Sequence, residues 1–184
     1  MICDMGHKDK KDIIEKGKFL CLVLRHKPEE IDLKIDKHGW ANVNELLTKA
    51  KFISLDELNE IVETNNKKRF EFNDDKSLIR ACQGHSINVE MDYKPQTPPD
   101  ILYHGTASRF LDSIFKNGIL KGNRQYVHLS LNEDVALDVG KRHGKPVILL
   151  VDSKQMFEDG IEFYCSNNGV WLTDYVDKKY FKLI

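Results

Sequence analysis

The chain has 184 residues, 41% hydrophobic and 31% charged, which suits one large or two small domains with real cores and is ordinary for a soluble globular protein. Its formal net charge is −1, and residues 1–100 carry 17 Lys+Arg against 19 Asp+Glu, so a globally basic nucleic-acid binder is excluded and any polyanion site must be a local cluster. The four cysteines (Cys3, Cys21, Cys82, Cys165) show no C-x-x-C spacing, Met1 to Lys11 lacks a signal-peptide apolar core, and no run approaches the ~20 apolar residues of a membrane span; neither disulfides nor a metal is expected, and a cytoplasmic location is.

In chain order, the first predicted helix runs from about Asp12 to Lys27 and ends in Arg25-His26-Lys27-Pro28, because proline disfavours the α conformation in the residue before it. Two cationic or titratable groups thus sit at a rigid helix end. By themselves they read either as compensation of the helix dipole or as an anion site. Gly39-Trp40-Ala41 reads as a short extended piece, followed by a short helix capped by Asn44 and carrying Leu46, Leu47 and Ala50. Ser54 and Glu57 form a capping box opening a third helix with Leu55, Leu58, Ile61 and Val62 on one face. Arg69 to Phe72 and Leu78 to Ala81 alternate across Asn73-Asp74-Asp75 as a β-hairpin. Three helices and a hairpin suggest a winged-helix arrangement.

Three of the five prolines fall in Lys94 to Asp100, a linker signal that divides the chain into 1–94 and 95–184. Beyond it, Ile101-Leu102-Tyr103 reads as a strand broken at His104-Gly105-Thr106. A helix with Phe110, Leu111, Ile114 and Phe115 on one side follows, with Asn117-Gly118 as its C-cap. Tyr126 to Ser130 reads as a strand, Glu133 to Gly144 as a helix, and Pro146 to Asp152 as a strand. Ile161 to Cys165 and Val170 to Val176 read as a strand pair turning at Asn167-Asn168-Gly169. The fold class is α+β.

Several stretches could carry chemistry. Gly105 permits close approach of a ligand to backbone, and His104 and Thr106 can bond ribose hydroxyls or amides. His128 and Ser130 share one face of their strand, opposite Val127 and Leu129. Lys67-Lys68-Arg69 could be a solvated turn or, at Arg69, a residue aimed at a site; Arg124 alone is unremarkable. Paired carboxylates, a Ser-His-Asp arrangement, a Walker loop, G-x-G-x-x-G and metal-type spacing are all absent from the sequence.

Taken together, Leu24-Arg25-His26-Lys27-Pro28, Gly39-Trp40, Arg69-Phe70, Arg80-Ala81-Cys82-Gln83-Gly84-His85-Ser86, Tyr103-His104-Gly105-Thr106, Val127-His128-Leu129-Ser130, Arg142-His143-Gly144-Lys145-Pro146 and Val170-Trp171-Leu172-Thr173 resemble, in order, the NAD-dependent RNA 2′-phosphotransferase family. These enzymes remove a tRNA splice-junction 2′-phosphate. The resemblance implies two lobes, an N-terminal winged-helix RNA lobe and a C-terminal ADP-ribosyltransferase-like NAD lobe. It implies an Arg-His-Arg-Arg set at Arg25, His26, Arg69 and Arg124, with an active site in the cleft between the lobes. His104, Gly105, Thr106, His128 and Ser130 would bind NAD as co-substrate, and Lys67 and Lys68 would contact RNA phosphates. The implied reaction has two steps: the 2′-phosphate attacks the nicotinamide-ribose carbon and releases nicotinamide, then the ribose 2″-hydroxyl attacks phosphorus and frees the RNA. ADP-ribose 1″,2″-cyclic phosphate is the product. A monomer without metal or membrane attachment is expected. The rival readings are an ADP-ribosyltransferase that leaves its adduct on a nucleic-acid end or protein, and a DNA-binding regulator with an NAD-sensing lobe; the near-zero charge of the first lobe argues against the regulator.

Overall fold

The computed structural model describes residues 5–65 and 67–184. The chain divides between Asp92 and Tyr93 into two compact units, each with its own hydrophobic core. Helices and small antiparallel sheets mix in both, as the α+β reading expects.

The first unit begins with α1 (Met5–Arg25), followed by a 3₁₀ turn (Pro28–Ile31), β1 (Ala41–Asn42), α2 (Val43–Lys49), α3 (Leu55–Thr64), β2 (Phe70–Phe72) and β3 (Leu78–Ala81). The strands form one antiparallel sheet in the order β1-β3-β2, with Phe70 opposite Ala81 and Ala41 opposite Ile79. Leu20, Val23 and Leu24 of α1, Leu46 of α2, Leu58 of α3 and Ile79 of β3 bury almost completely in one core. Each fully buried side chain of this kind contributes about 1.5–3 kcal/mol, which fixes α1 rigidly up to its last turn.

α1 starts earlier than the apolar pattern predicts, because Met5 to Lys11 has no apolar stripe to announce a helix. It also ends two residues before Lys27. The amides of His26 and Lys27 both close on the Leu22 carbonyl, at 3.0 and 2.8 Å, and Pro28 then opens the 3₁₀ turn. The cap of α2 is Asn42 rather than Asn44: Asn42 has extended backbone and its side chain accepts from the Glu45 amide, as an N-cap must. The Ser54–Glu57 capping box forms as expected. Leu58 and Ile61 bury, whereas Leu55, the first helical residue, faces solvent.

The second unit contains β4 (Ile101–Ala107), a 3₁₀ turn (Ser108–Phe110), α4 (Leu111–Asn117), β5 (Ile119–Leu120), β6 (Val127–Leu129), α5 (Glu133–Lys141), β7 (Pro146–Asp152), α6 (Ser153–Glu158), β8 (Tyr164–Cys165), β9 (Trp171–Thr173), β10 (Tyr175–Val176), a 3₁₀ turn (Lys178–Tyr180) and β11 (Phe181–Leu183). Two three-stranded antiparallel sheets, β11-β7-β4 and β6-β9-β8, are joined where the amide and carbonyl of Tyr103 pair with those of Ser130 at 2.9 and 2.8 Å. β5 pairs with β10. Phe163, Leu102, Leu129, Leu149 and Met156 lie at the centre of the core.

The expected break at His104-Gly105-Thr106 does not occur. β4 runs on to Ala107 and pairs with β7 along its whole length, with Gly105 opposite Ile148. Gly105 serves packing: a Cβ there would collide with the backbone carbonyl of Ala136 in α5, which lies against β4. Gly140, farther along α5, is equally constrained, since its Cβ would sit 2.5 Å from the Thr106 carbonyl oxygen. On α4 only Ile114 buries, while Phe110 and Phe115 are exposed. The predicted strand from Val170 is split at Asp174 into β9 and β10, which belong to different sheets. No helix among the described residues is long and apolar enough to cross a membrane.

Candidate active site

In the first unit the buried side chain of Leu24 anchors the end of α1, and Arg25 and His26 emerge there. The half-buried Arg25 side chain reaches across to the start of β2, where Nη2 donates to the carbonyl of Arg69, just before the strand, at 3.4 Å and the guanidinium carbon lies 6.0 Å from the centre of the Phe70 ring. Arg69 itself is held by Asn65, whose Oδ1 accepts from Nη1 at 3.1 Å. A contact between residues 44 apart in sequence thereby ties the Arg25 guanidinium to the backbone of Arg69.

The loop Gly84-His85-Ser86 closes over this helix end. The amides of Ser86 and Ile87 donate to the Arg25 carbonyl at 2.9 and 3.3 Å, and Ser86 Oγ lies 2.9 Å from His26 Nδ1. Gly84 is favoured by its φ of +85°, and a Cβ there would lie at ordinary contact distance, 3.4 Å, from Arg25 Nη1. Neighbouring Arg80 is engaged elsewhere. Its Nε donates to the Glu71 carboxylate at 2.6 Å and its guanidinium stacks on Trp40, so its charge is already matched. Among the described residues Arg69 has no such carboxylate partner, and a matching anion is what it lacks. Lys67 and Lys68 are exposed just before β2, Lys68 with a left-handed φ of 39°.

His85 is only 2% exposed, and its Nε2 has no hydrogen-bond partner. Burial, followed by the charges of Arg25, His26 and Arg80, pushes its pKa down to about 4 from an ordinary 6.5. The imidazole is therefore neutral at pH 7 and adds no further charge beneath Arg25. The unfolded chain binds a proton here below pH 6.5 that the folded chain refuses until about pH 4. Stability must fall across that window, by about 3 kcal/mol at its lower end. Urea unfolding between pH 7 and pH 4.5 will show a shallower acid loss in His85→Gln than in the wild type. Equal slopes would remove His85 as the cause. Cys82, beside this loop, is buried with its thiol pushed up to about 12, chiefly by desolvation, and is not a nucleophile.

In the second unit the structure brings the two histidine strands side by side. His104 and Thr106 share a face of β4 with the core residue Leu102, opposite Gly105. The His104 ring donates from Nδ1 to the His128 carbonyl at 3.1 Å. Its pKa is lowered, first by desolvation and also by the charge of Arg124, while the bond to His128 opposes the shift. A neutral ring with its proton on Nδ1 leaves Nε2 as an acceptor. Val127 and Leu129 bury, and His128 and Ser130 are half-buried on the opposite face, as the alternation predicts. Arg124 lies in the exposed loop before β6; partial desolvation and then the like charge of Arg142 lower its pKa. It too forms no ion pair among the described residues.

The sequence-predicted residues thus gather as two sets, Arg25, His26 and Arg69 in the first unit and Arg124, His104, Gly105, Thr106, His128 and Ser130 in the second. Ser86 and His85 carry no signal of their own in the sequence. The signal was the string Gln83-Gly84-His85-Ser86, in which a glycine precedes two polar side chains and no element is predicted.

A guanidinium and an imidazole at a rigid helix end are the kind of donors that suit a phosphate-like anion. The family model described as "RNA 2'-phosphotransferase, Tpt1 / KptA family" matches residues 11–175, and the chain belongs to that family. Proteins named "Probable RNA 2'-phosphotransferase" from Fusobacterium nucleatum and Acaryochloris marina are 51% and 50% identical to it over 174 and 169 residues. These alignments cover 92% and 90% of this chain and 97% and 93% of theirs. One of the same name from Agrobacterium fabrum is 52% identical over 168 residues, 89% of this chain and 90% of its own.

Proposed function

We propose that the protein is an NAD-dependent RNA 2′-phosphotransferase. It transfers an internal 2′-phosphate of RNA, such as that at a tRNA splice junction, to NAD, yielding 2′-hydroxyl RNA, ADP-ribose 1″,2″-cyclic phosphate and nicotinamide. The observation that carries this reading is the meeting of Arg25 and His26 with the Arg69 backbone and Ser86 at the end of α1, in a chain matched to the family over most of its length. In this reading the first unit is a winged-helix RNA lobe and the second an ADP-ribosyltransferase-like NAD lobe, acting as a cytoplasmic monomer without a metal.

The residues suit the chemistry. Arg25 and Arg69 of the first unit hold the phosphate and stabilise the extra negative charge at phosphorus when a hydroxyl attacks it, and the family's Arg-His-Arg-Arg set gives Arg124 of the second unit a part in the same chemistry. His26 donates to the phosphate and exchanges a proton with the departing or attacking oxygen. The phosphate is already an anion when it acts as nucleophile, so that step needs no general base. When bound, NAD supplies the ribose carbon that accepts the phosphate, and nicotinamide as leaving group. His104 fits it: the neutral ring with Nδ1–H given to a carbonyl can accept from a ribose hydroxyl at Nε2. Thr106 and Ser130 offer hydroxyls, His128 a second ring, and the buried Gly105 only its backbone, since α5 fills the space of its missing side chain. Lys67 and Lys68 contact RNA phosphates without reading sequence.

The test combines the protein, NAD and a short RNA with one internal 2′-phosphate, followed by mass spectrometry of RNA and nucleotides. Loss of roughly 80 Da from the RNA (the mass of HPO₃), with the cyclic phosphate appearing, is the expected result. A stable ADP-ribose adduct on RNA or protein would instead favour ADP-ribosyl transfer, and no reaction of folded protein would refute both.

A further inference from the structure

The contact between Ser86 and His26 has a direction, and the number of protons available at the serine decides it. Ser86 Oγ lies 2.9 Å from His26 Nδ1 and 3.4 Å from the Arg25 carbonyl oxygen, to which it can donate. The serine itself is fixed, because its amide donates to that same carbonyl at 2.9 Å. A hydroxyl has one proton and a carbonyl can only accept. With the proton directed to the Arg25 carbonyl, both contacts are hydrogen bonds and the Oγ lone pair must receive a proton from His26 Nδ1. With the proton directed to Nδ1 instead, two oxygens face each other lone pair to lone pair.

We infer that Ser86 is a positioning residue which holds His26 in the Nδ1–H tautomer, so that its proton exchange with the substrate passes through Nε2. The arrangement works through a histidine whose Nδ1 proton stays in place while Nε2 gains and loses one, and a fixed neutral acceptor behind Nδ1 is sufficient for it. It also explains why the loop is tied to α1 at the Arg25 carbonyl rather than elsewhere. The two backbone bonds set Ser86 opposite the imidazole of the next residue, and Gly84 gives the loop the left-handed turn it needs to arrive there. The catalytic consequence, though not the tautomer, rests on the proposed phosphotransferase reaction.

The test uses the full chain labelled with ¹⁵N-histidine, in which a long-range ¹H–¹⁵N imidazole spectrum reports the protonated nitrogen directly, with His26 assigned from the spectrum of His26→Gln. Above the pH at which His26 titrates, the expected pattern is Nδ1 protonated and Nε2 bare in the wild type and in Ser86→Thr. In Ser86→Ala it shifts towards Nε2–H. Turnover of the 2′-phosphorylated RNA should fall roughly tenfold or more in Ser86→Ala, with KM for NAD unchanged, and recover in Ser86→Thr. An Nε2–H pattern in the wild type, or one that Ser86→Ala leaves unaltered, would overturn the inference whatever the activity. A wild-type protein that shows the Nδ1–H pattern but does not dephosphorylate the RNA would refute the reaction and the catalytic consequence, leaving the tautomer assignment standing.

Discussion

Arg25→Ala is expected to lower 2′-phosphotransfer at least about a hundredfold, the scale on which a single fixed donor to a developing oxyanion acts. The fold should survive. The bonds that lock the Gly84–Ser86 loop to α1 are made by the Arg25 carbonyl, which alanine retains, and the core anchor at this helix end is Leu24. Arg25→Lys should restore little, because a lysine ammonium cannot reproduce the planar paired donors of a guanidinium or reach the Arg69 carbonyl in the same geometry. Arg69→Ala and Arg124→Ala are expected to show losses of the same order. Circular dichroism and urea midpoints would establish that the variants are folded, and single-turnover assays with saturating NAD would measure the step. Full turnover by folded Arg25→Ala would remove it from the catalytic set.

The largest expected effect on stability comes from one methyl group. Gly105→Ala would place a Cβ against the Ala136 carbonyl, and neither partner can yield cheaply: the glycine is locked in register opposite Ile148, and the carbonyl belongs to the backbone of α5. Overpacking of this kind costs about 3 kcal/mol or more when the obstacle is backbone. For a unit of this size that amounts to a fall in Tm of roughly 10 °C or more. Thermal unfolding of Gly105→Ala beside Gly122→Ala gives the comparison, since nothing lies within 4 Å of a Cβ at Gly122 and only its φ of +60° is strained. If Gly105→Ala melted no lower than Gly122→Ala, the close packing of α5 on β4 would be disproved. A collapse in stability would also mean that any lost activity in Gly105 variants reports packing rather than ligand binding.

How much of this was legible beforehand depends on the range of the interaction involved. The Ser54–Glu57 capping box, the hairpin around Asn73 and the strand at Pro146 to Asp152 follow from neighbours within a few residues, and the structure has all three. α6, β5 and β11 went unread because short apolar stretches such as Phe181–Leu183 adopt a conformation only through the strand they meet, here β7. The cap of α2 shows the same limit on a smaller scale. Asn42 and Asn44 are equally good capping residues by type, and the pairing of Ala41 and Asn42 with β3 decides between them.

At the site, the sequence by itself determined the cast: arginines and histidines at Arg25, His26, Arg69, Arg124, His104 and His128, in an order that matches the family. It also set the limit beyond which α1 does not run, because proline disfavours the helical region in the residue before it, although the helix ends two residues short of that limit. Tertiary structure decided what each residue can do. Glu71, across the hairpin, matches the charge of Arg80, whereas Arg69 has no carboxylate partner among the described residues. Burial makes His85 a neutral spacer, and a serine sixty residues away from His26 sets its tautomer. The physical reason is that residue type sets which protons and charges a side chain can carry, whereas protonation state, tautomer and pairing are set by dielectric surroundings and partners within about 3–4 Å, which only folding brings together.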